Sequence, residues 1–546
     1  MFRPLEGGFT NMTQSFVIPG VSRRVFLGTA AAAAGAATLP AFAAPAKATR
    51  YTRYNAVSPQ GKVMLDSYAV AIGKMLELKP DHPHNWFRNA FVHCMDCPHG
   101  NWWFFTWHRP FVGYFEQVVR HYSGNPDFAF PYWDWTQAPL VPAQMFDGVL
   151  DPRNQAYDRY ISSFDTFYKY MNPAMEVYWR NLTPDQRKGL PDRGMPDLPT
   201  MWKVVKGNET DGAYYATTPN ARWIKKIDPL LDKSTRGAVE IGTIEAGLRT
   251  RVFVDGTTVS AGFNSSRTAS HNSMPSRSNF AILEGQPHNL VHNNLGGVGH
   301  LSNPLLFGYM ADNLSPVDPL FMLHHSNVDR LWDVWTRKQQ ALHLPALPTG
   351  ADWTAFADEK FLFYIDANGT PAPRKTAGES VEIAGFDYTY QPGSGENVVT
   401  APRVSAVAAA TFSAKSISGG AGTVNVPAAL LAKAPGTLVA TITIPRPTSG
   451  GAPREYDVLV NAPPGTTSAT PDSPYYAGTI SFFGFMASMG GEASFSLPLT
   501  KLPPAAKGKP PGELVFTVVP SYETPATPGV LKSSGPLLKA VTVTAS

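Results

Sequence analysis

The thirteen histidines of this chain constrain it more than any other feature, because all lie before residue 344 and six fall into two separated clusters. The first cluster is His93, His99 and His108. The second is His288 and His292, completed by one of the pair His324 and His325. Neutral imidazole with no carboxylate in the set suits copper or zinc, and two three-nitrogen sets point to a metal pair. His288 and His292 are four apart and so share one helical face. His99 and His108 cannot share a face, but they converge if His99 precedes a helix that carries His108. The aromatics between them, Trp102 to Trp107, would wall such a site from water. No Glu directly follows His288, so the zinc-protease pattern is absent. Neither cluster has the Glu-x-x-His pairs of a di-iron carboxylate site.

At 546 residues the chain exceeds what one hydrophobic core organises, so two or more domains are expected. A content of 43% hydrophobic and 16% charged residues describes a globular protein. The net charge is +4, of which Arg3, Arg23 and Arg24 against Glu6 supply two, leaving about +2 for the rest. That surplus is too weak for a nucleic-acid partner. With Cys94 and Cys97 as the only cysteines, no disulfide framework is available.

Residues 1–44 read as an export signal. Arg23-Arg24 precedes a short alanine-rich run that ends near Ala41-Phe42-Ala43, resembling a twin-arginine signal. The run from Val25 to Leu39 is too short and too weakly apolar for a good membrane anchor. The expected location is therefore periplasmic or secreted.

Composition then divides the rest. Every histidine, cysteine and tryptophan lies before residue 354. The earlier part reads as helical with long loops: Phe111, Phe115, Val118, Val119 and Tyr122 form an apolar helical stripe, and His325, Asp329 and Trp332 have helical spacing. Residues 260–277, rich in Ser and Asn, read as loop. A turn signal at Gln391-Pro392-Gly393-Ser394-Gly395 opens a linker over 391–403. Beyond it, short apolar runs near 438–444, 456–460, 478–483, 514–519 and 540–543 alternate with Pro/Gly turns, as in a sandwich or barrel. The expected architecture is a mainly α metal-binding domain (a helical bundle with long loops) over 45–390, then an all-β sandwich-like domain over 404–546.

The segments from His93 to Glu116 and from Glu284 to Trp332 resemble the two copper motifs of type-3 copper proteins, the tyrosinases, catechol oxidases and haemocyanins. The resemblance implies two copper ions, copper A on His93, His99 and His108, and copper B on His288, His292 and His325, with dioxygen as co-substrate. His324 is then a neighbour of the second site. Cys97, two residues before His99, matches a position that forms a Cys–His thioether in fungal tyrosinases. Phe386-Asp387-Tyr388-Thr389-Tyr390 resembles the Tyr-x-Tyr sequence that closes the oxidase domain of plant enzymes, and Arg454 to Val458 resembles a strand of their C-terminal domain.

Glu284 and Asn289 match the pair proposed in tyrosinases to hold a proton-accepting water, which implies a tyrosinase that ortho-hydroxylates monophenols and oxidises o-diphenols to o-quinones. The rival readings are a catechol oxidase or o-aminophenol oxidase without monophenolase activity, or a haemocyanin-like oxygen carrier. Small phenols are the expected partners, with a homo-oligomer open. Asn289 and Asn293 would shape a roomy mouth for the phenol. The apolar segment Phe482, Phe483, Phe485 and Met486 is a candidate lid over the site, making the full chain latent. Truncation near 400, detergent or mild acid should then raise activity.

Overall fold

The helices that carry the imidazoles begin and end where local chemistry dictates. In helix Trp86–Asp96 the Asn85 side chain caps the start by accepting from the Phe87 amide at 3.1 Å. Helix Phe104–Ser123 ends at Gly124, which takes the left-handed conformation (φ 76°) that glycine adopts without strain. Its buried residues include Phe111, Phe115, Val118 and Val119, the expected stripe. Helix Leu320–Ala341 starts after Asp318, whose carboxylate accepts from the Leu320 amide at 2.9 Å and pairs with the buried Arg222. The segment Glu284–His288 is a π turn that runs into helix Asn289–Gly296. Such turns inside helices gather at functional sites, and this one lies between Glu284 and the first histidine of the second cluster.

This computed structural model describes residues 49–207, 215–254, 262–273, 277–301, 306–400, 410–431, 438–447, 453–483, 491–502, 512–521 and 537–545. The leader over 1–44 lies outside the described residues. No helix among the described residues is long and apolar enough to cross a membrane.

One buried ionic network closes the helical part. Strand Tyr51–Arg53 pairs in parallel with Tyr388–Tyr390. Asp329, on the last ligand helix, accepts from Arg109 Nε at 2.7 Å, Arg53 Nη1 at 3.2 Å and the Tyr390 hydroxyl at 2.6 Å, and also from the Tyr388 hydroxyl. Arg53 Nε also donates to Glu116 at 2.8 Å. The Tyr-x-Tyr strand thus buckles the chain ends of the domain to the two central helices.

The C-terminal part is a sandwich of two five-stranded sheets, with strands Leu438–Pro445, Glu455–Val460, Tyr476–Ser481, Glu492–Pro498, Glu513–Pro520 and Ala540–Ala545 among them. All five apolar runs singled out in the sequence form strands, the run 478–483 only as far as Ser481. Their inward residues, including Ile442, Val458, Ile480, Phe495 and Phe516, form a separate core. The sheet does not consist of C-terminal residues alone. Strand Arg277–Phe280, in a stretch whose flank reads as loop, joins its edge in parallel with Glu492–Phe495. Phe280 stacks on Phe495 at 4.9 Å within the sandwich core. Four residues of alternating burial leave little periodicity to read, and their partner lies more than two hundred positions away. The strand ends next to Glu284, so the sandwich is stitched to the start of the second cluster.

Candidate metal centre

The two histidine clusters meet. In the first, ligand atoms of His93, His99, His108 and Cys97 all lie within 4.8 Å of one another; in the second, the same holds for His288, His292, His324 and His325. The rings of His108 and His325 stack across the two sets, with centroids 4.0 Å apart. His99 and His288 face each other at 5.6 Å.

The backbone fixes the ring orientations. His93 Nδ1 meets the Asn313 carbonyl, His108 Nδ1 that of Phe104 and His292 Nδ1 that of Met310, each at 2.7 Å. His288 Nδ1 meets Asn289 Oδ1 at 2.9 Å. Each contact holds the proton on Nδ1 and turns the Nε2 lone pair inward, the usual arrangement around a metal-binding imidazole. The Nε2 atoms of His93 and His288 are buried with no hydrogen-bond partner. Burial pushes both rings down to about 3 and the other cluster histidines well below their ordinary value, so all are neutral donors. Orphaned, neutral nitrogen donors in two converging sets fit a pair of copper ions.

His324 is closer to the centre than its sequence reading suggested. Both of its ring nitrogens are buried without partners, and its ring lies 4.7 Å from His292 and 5.3 Å from His288. It packs on Trp135 at 4.8 Å, whereas His325 stacks on His108. Phe321 also went unassigned from sequence, although it lies within the second motif. Its ring touches those of His93 at 5.0 Å and His325 at 4.1 Å, so it walls both sets from one side, while Phe104 lies 4.6 Å from His288 on another.

Cys97 Sγ lies 3.9 and 3.8 Å from the two nitrogens of His99, and 3.2 Å from His108 Nε2. Near-equal distances to the two nitrogens put the sulfur in the plane that bisects the ring through Cε1. Burial pushes the Cys97 thiol well up, which keeps it protonated. Cys94 is also a buried free thiol, raised to about 12 by burial.

Glu284 and Asn289 are buried beside the centre but are engaged with their own neighbours. Glu284 Oε1 accepts from the Gly100 amide at 2.6 Å and Oε2 from the Ser265 hydroxyl. Burial raises its carboxyl to about 8, against those two hydrogen bonds. Asn289 spans His288 Nδ1 and, through Nδ2, the Ser481 carbonyl at 2.8 Å. Asn293 Nδ2 donates to Ser481 Oγ at 2.5 Å and to the Phe482 carbonyl at 2.9 Å. The expected roomy mouth is therefore filled, because both asparagines hold the end of strand Tyr476–Ser481.

What that strand end delivers is Phe483. Its ring lies 4.2 Å from His292, 4.9 Å from His99 and 5.5 Å from His288, and it is 1% exposed. Phe482 points the other way, packing 5.0 Å from Phe495 in the sandwich core. Phe485 and Met486 lie outside the described residues.

The common central domain of tyrosinase matches residues 77–338, which hold all six histidines of the two clusters. Over these residues the chain carries the central domain of the tyrosinase family. Members of the family hold two copper ions on such histidine sets. Among curated relatives, a tyrosinase of Hahella sp. (strain CCB-MM4) is 25% identical over 298 residues, covering 54% of this chain and 47% of that protein. The chloroplastic polyphenol oxidase of Malus domestica is 24% identical over 343 residues, covering 60% and 46%. The chain thus spans about half the length of these relatives. Among solved structures, a latent aurone synthase (polyphenol oxidase) from natural source is similar over 92% of this chain and 91% of its own, with a TM-score of 0.53 and 19% identity. A latent apple tyrosinase matches over 92% and 99%, with a TM-score of 0.50 and 20% identity. These likenesses extend the shared fold across the sandwich.

Proposed function

We propose that the chain is a copper-dependent tyrosinase that uses dioxygen to convert monophenols and o-diphenols to o-quinones, and that Phe483 holds the full chain latent. His93, His99 and His108 would hold copper A, and His288, His292 and His325 copper B. The observation that carries this reading is the stacking of His108 on His325 at 4.0 Å, which puts the two nitrogen sets against one another. The metal pair, when bound, supplies the two-electron exchange with dioxygen. The balance is one phenol and one dioxygen to one o-quinone and one water; for diphenols, two diphenols and one dioxygen to two quinones and two waters.

The chain's own residues exclude water, orient the ring and handle protons. A free phenol ionises near ~10, so a neighbouring base eases its approach as phenolate. Glu284, raised to about 8 by burial, is suited to take and return that proton near neutral pH. Phe104 and Phe321 keep the site dry, and Phe483 occupies the ring-sized space beside His292 that a phenol would need. Asn293 would line the phenol's path once Ser481 and Phe482 withdraw. Export by the leader over 1–44, to the periplasm or beyond, is part of the same proposal.

Oxygen consumption by the copper-loaded chain with tyrosine, catechol and o-aminophenol tests this function. Turnover of both tyrosine and catechol is expected. Catechol or aminophenol oxidation alone would reduce it to a diphenol or aminophenol oxidase, and reversible oxygen uptake without quinone would make it a carrier.

A further inference from the structure

Outside the histidine clusters lies a further buried charged group that the proposed chemistry does not use. His271 sits between two carboxylates: Nε2 is 2.9 Å from Asp96 Oδ1 and Nδ1 is 2.5 Å from Glu359 Oε1. Its amide and the Ser270 hydroxyl also donate to Glu359 Oε1, each at 2.8 Å. The ring is buried and packs against Phe361 at 5.2 Å. Each ring nitrogen faces a carboxylate oxygen, with Asn272 Nδ2 also 3.1 Å from Nε2, and only imidazolium donates to both carboxylates.

The partners of His271 all lead to one half of the metal centre. Asp96 is the last residue of the helix that carries His93 and directly precedes Cys97. Its other oxygen accepts from Trp107 Nε1 at 2.8 Å, and Trp107 directly precedes His108. The His271 carbonyl accepts from Asn101 Nδ2 at 3.1 Å, two residues after His99. One side chain and its carbonyl thus brace the segments that carry all three imidazoles of the first cluster. No corresponding contact runs from His271 to the second cluster among the hydrogen bonds described.

We propose that His271, clamped between Asp96 and Glu359, is a positioning residue that sets the copper A half of the centre independently of the copper B half. The inference rests on the reading that His93, His99 and His108 hold one of the two coppers. Supports that orient metal ligands typically change affinity by about 10–100-fold when removed. Burial alone would discharge this ring, but Asp96 and Glu359 overcome it and raise it to about 9. The charged groups facing it are those two carboxylates, with the Arg193 guanidinium beyond Asn272 at 3.5 Å from the amide oxygen.

The test is copper retained per full-length chain under increasing chelator, read by metal analysis over a range of pH. For the unaltered protein, one of two coppers is expected to become easier to extract above about pH 9, while the other is unaffected. Glu359→Gln keeps the shape and weakens the clamp. It should lower the retention of one copper by about 10–100-fold and move that alkaline limit down, leaving the second copper as before. His271→Gln should do the same more strongly. If His271→Gln does not fold, Glu359→Gln and the unaltered chain decide. Coppers lost together at every pH, or a folded Glu359→Gln with unchanged retention, would overturn the proposal. His108→Ala is the control: it must lose one copper outright, and if it keeps both, the ligand assignment is what fails.

Discussion

The Phe483 ring lies 4.2 Å from the ring of His292, centroid to centroid, and it is delivered there by a strand of the C-terminal sandwich. The contact couples the two parts of the chain: the sandwich cannot move without uncovering the imidazoles. Two polar anchors secure it, from Asn289 to the Ser481 carbonyl and from Asn293 to Ser481 and Phe482.

Asn293→Ala should loosen this lid. It leaves the buried Phe482 carbonyl with only the Ser481 hydroxyl at 3.5 Å, a cost of about 1–3 kcal/mol against docking. The undocked fraction should rise on the order of tenfold, read as faster amide hydrogen exchange at 481–483. Exchange equal to that of the unaltered chain, at equal copper content, would show that the strand is held by packing alone.

The lid should also respond to pH, in the direction opposite to acid release. Burial, followed by repulsion from Asp232, raises the Glu455 carboxyl well above its ordinary value where it meets Asn293. Asp457, pushed up to about 6 mainly by burial, is held by Thr479 and Ser521 of the sandwich itself, so Glu455 is the group tied to docking. A group whose pKa is raised on docking favours the docked state below the free value and loses that contribution as pH rises through the raised one. Docking should therefore be firmest near pH 4 and weaken toward neutrality. Glu455→Gln, which mimics the protonated form, should flatten this dependence and keep the lid shut at pH 7. Exchange at 481–483 that, relative to the intrinsic amide rate at each pH, slows as pH rises would contradict the assignment.

Glu284→Gln separates the two phenol reactions. Losing the group that takes the phenol proton should lower kcat on monophenols on the order of 10²-fold, with much less effect on o-diphenols, which ionise more readily. An equal fall for both substrates would reassign Glu284 to holding the Gly100 amide, the role its 2.6 Å contact already serves.

Asp329→Asn probes what holds the helical part together. Removing the charge leaves the buried Arg53 and Arg109 under-compensated, which costs about 3–5 kcal/mol. A Tm drop of several degrees in the copper-free chain is expected. An unchanged Tm would mean that the tyrosine strand contributes little to closing the domain.

Much of this was legible because it is local. Five of the ten strands of the sandwich follow from period-two runs bounded by Pro and Gly, and the face shared by His288 and His292 follows from their spacing. Non-local pairing stayed hidden. Nothing around Arg277–Phe280 announces a strand whose partner begins at Glu492, and nothing around His271 announces its carboxylates at 96 and 359. The phenylalanines of the lid were visible as an apolar run. Which of them turns to the copper site and which to the sandwich core depends on strand register, and a single residue reverses the face.

The most direct measurement is oxygen uptake on tyrosine and catechol by the full-length copper-loaded chain beside Phe483→Ala. Removing the ring opens the space beside His292, so uptake on both substrates should rise on the order of tenfold or more with copper still at two per chain. Equal uptake by the two proteins, at equal copper content, would contradict a tyrosinase held latent by Phe483.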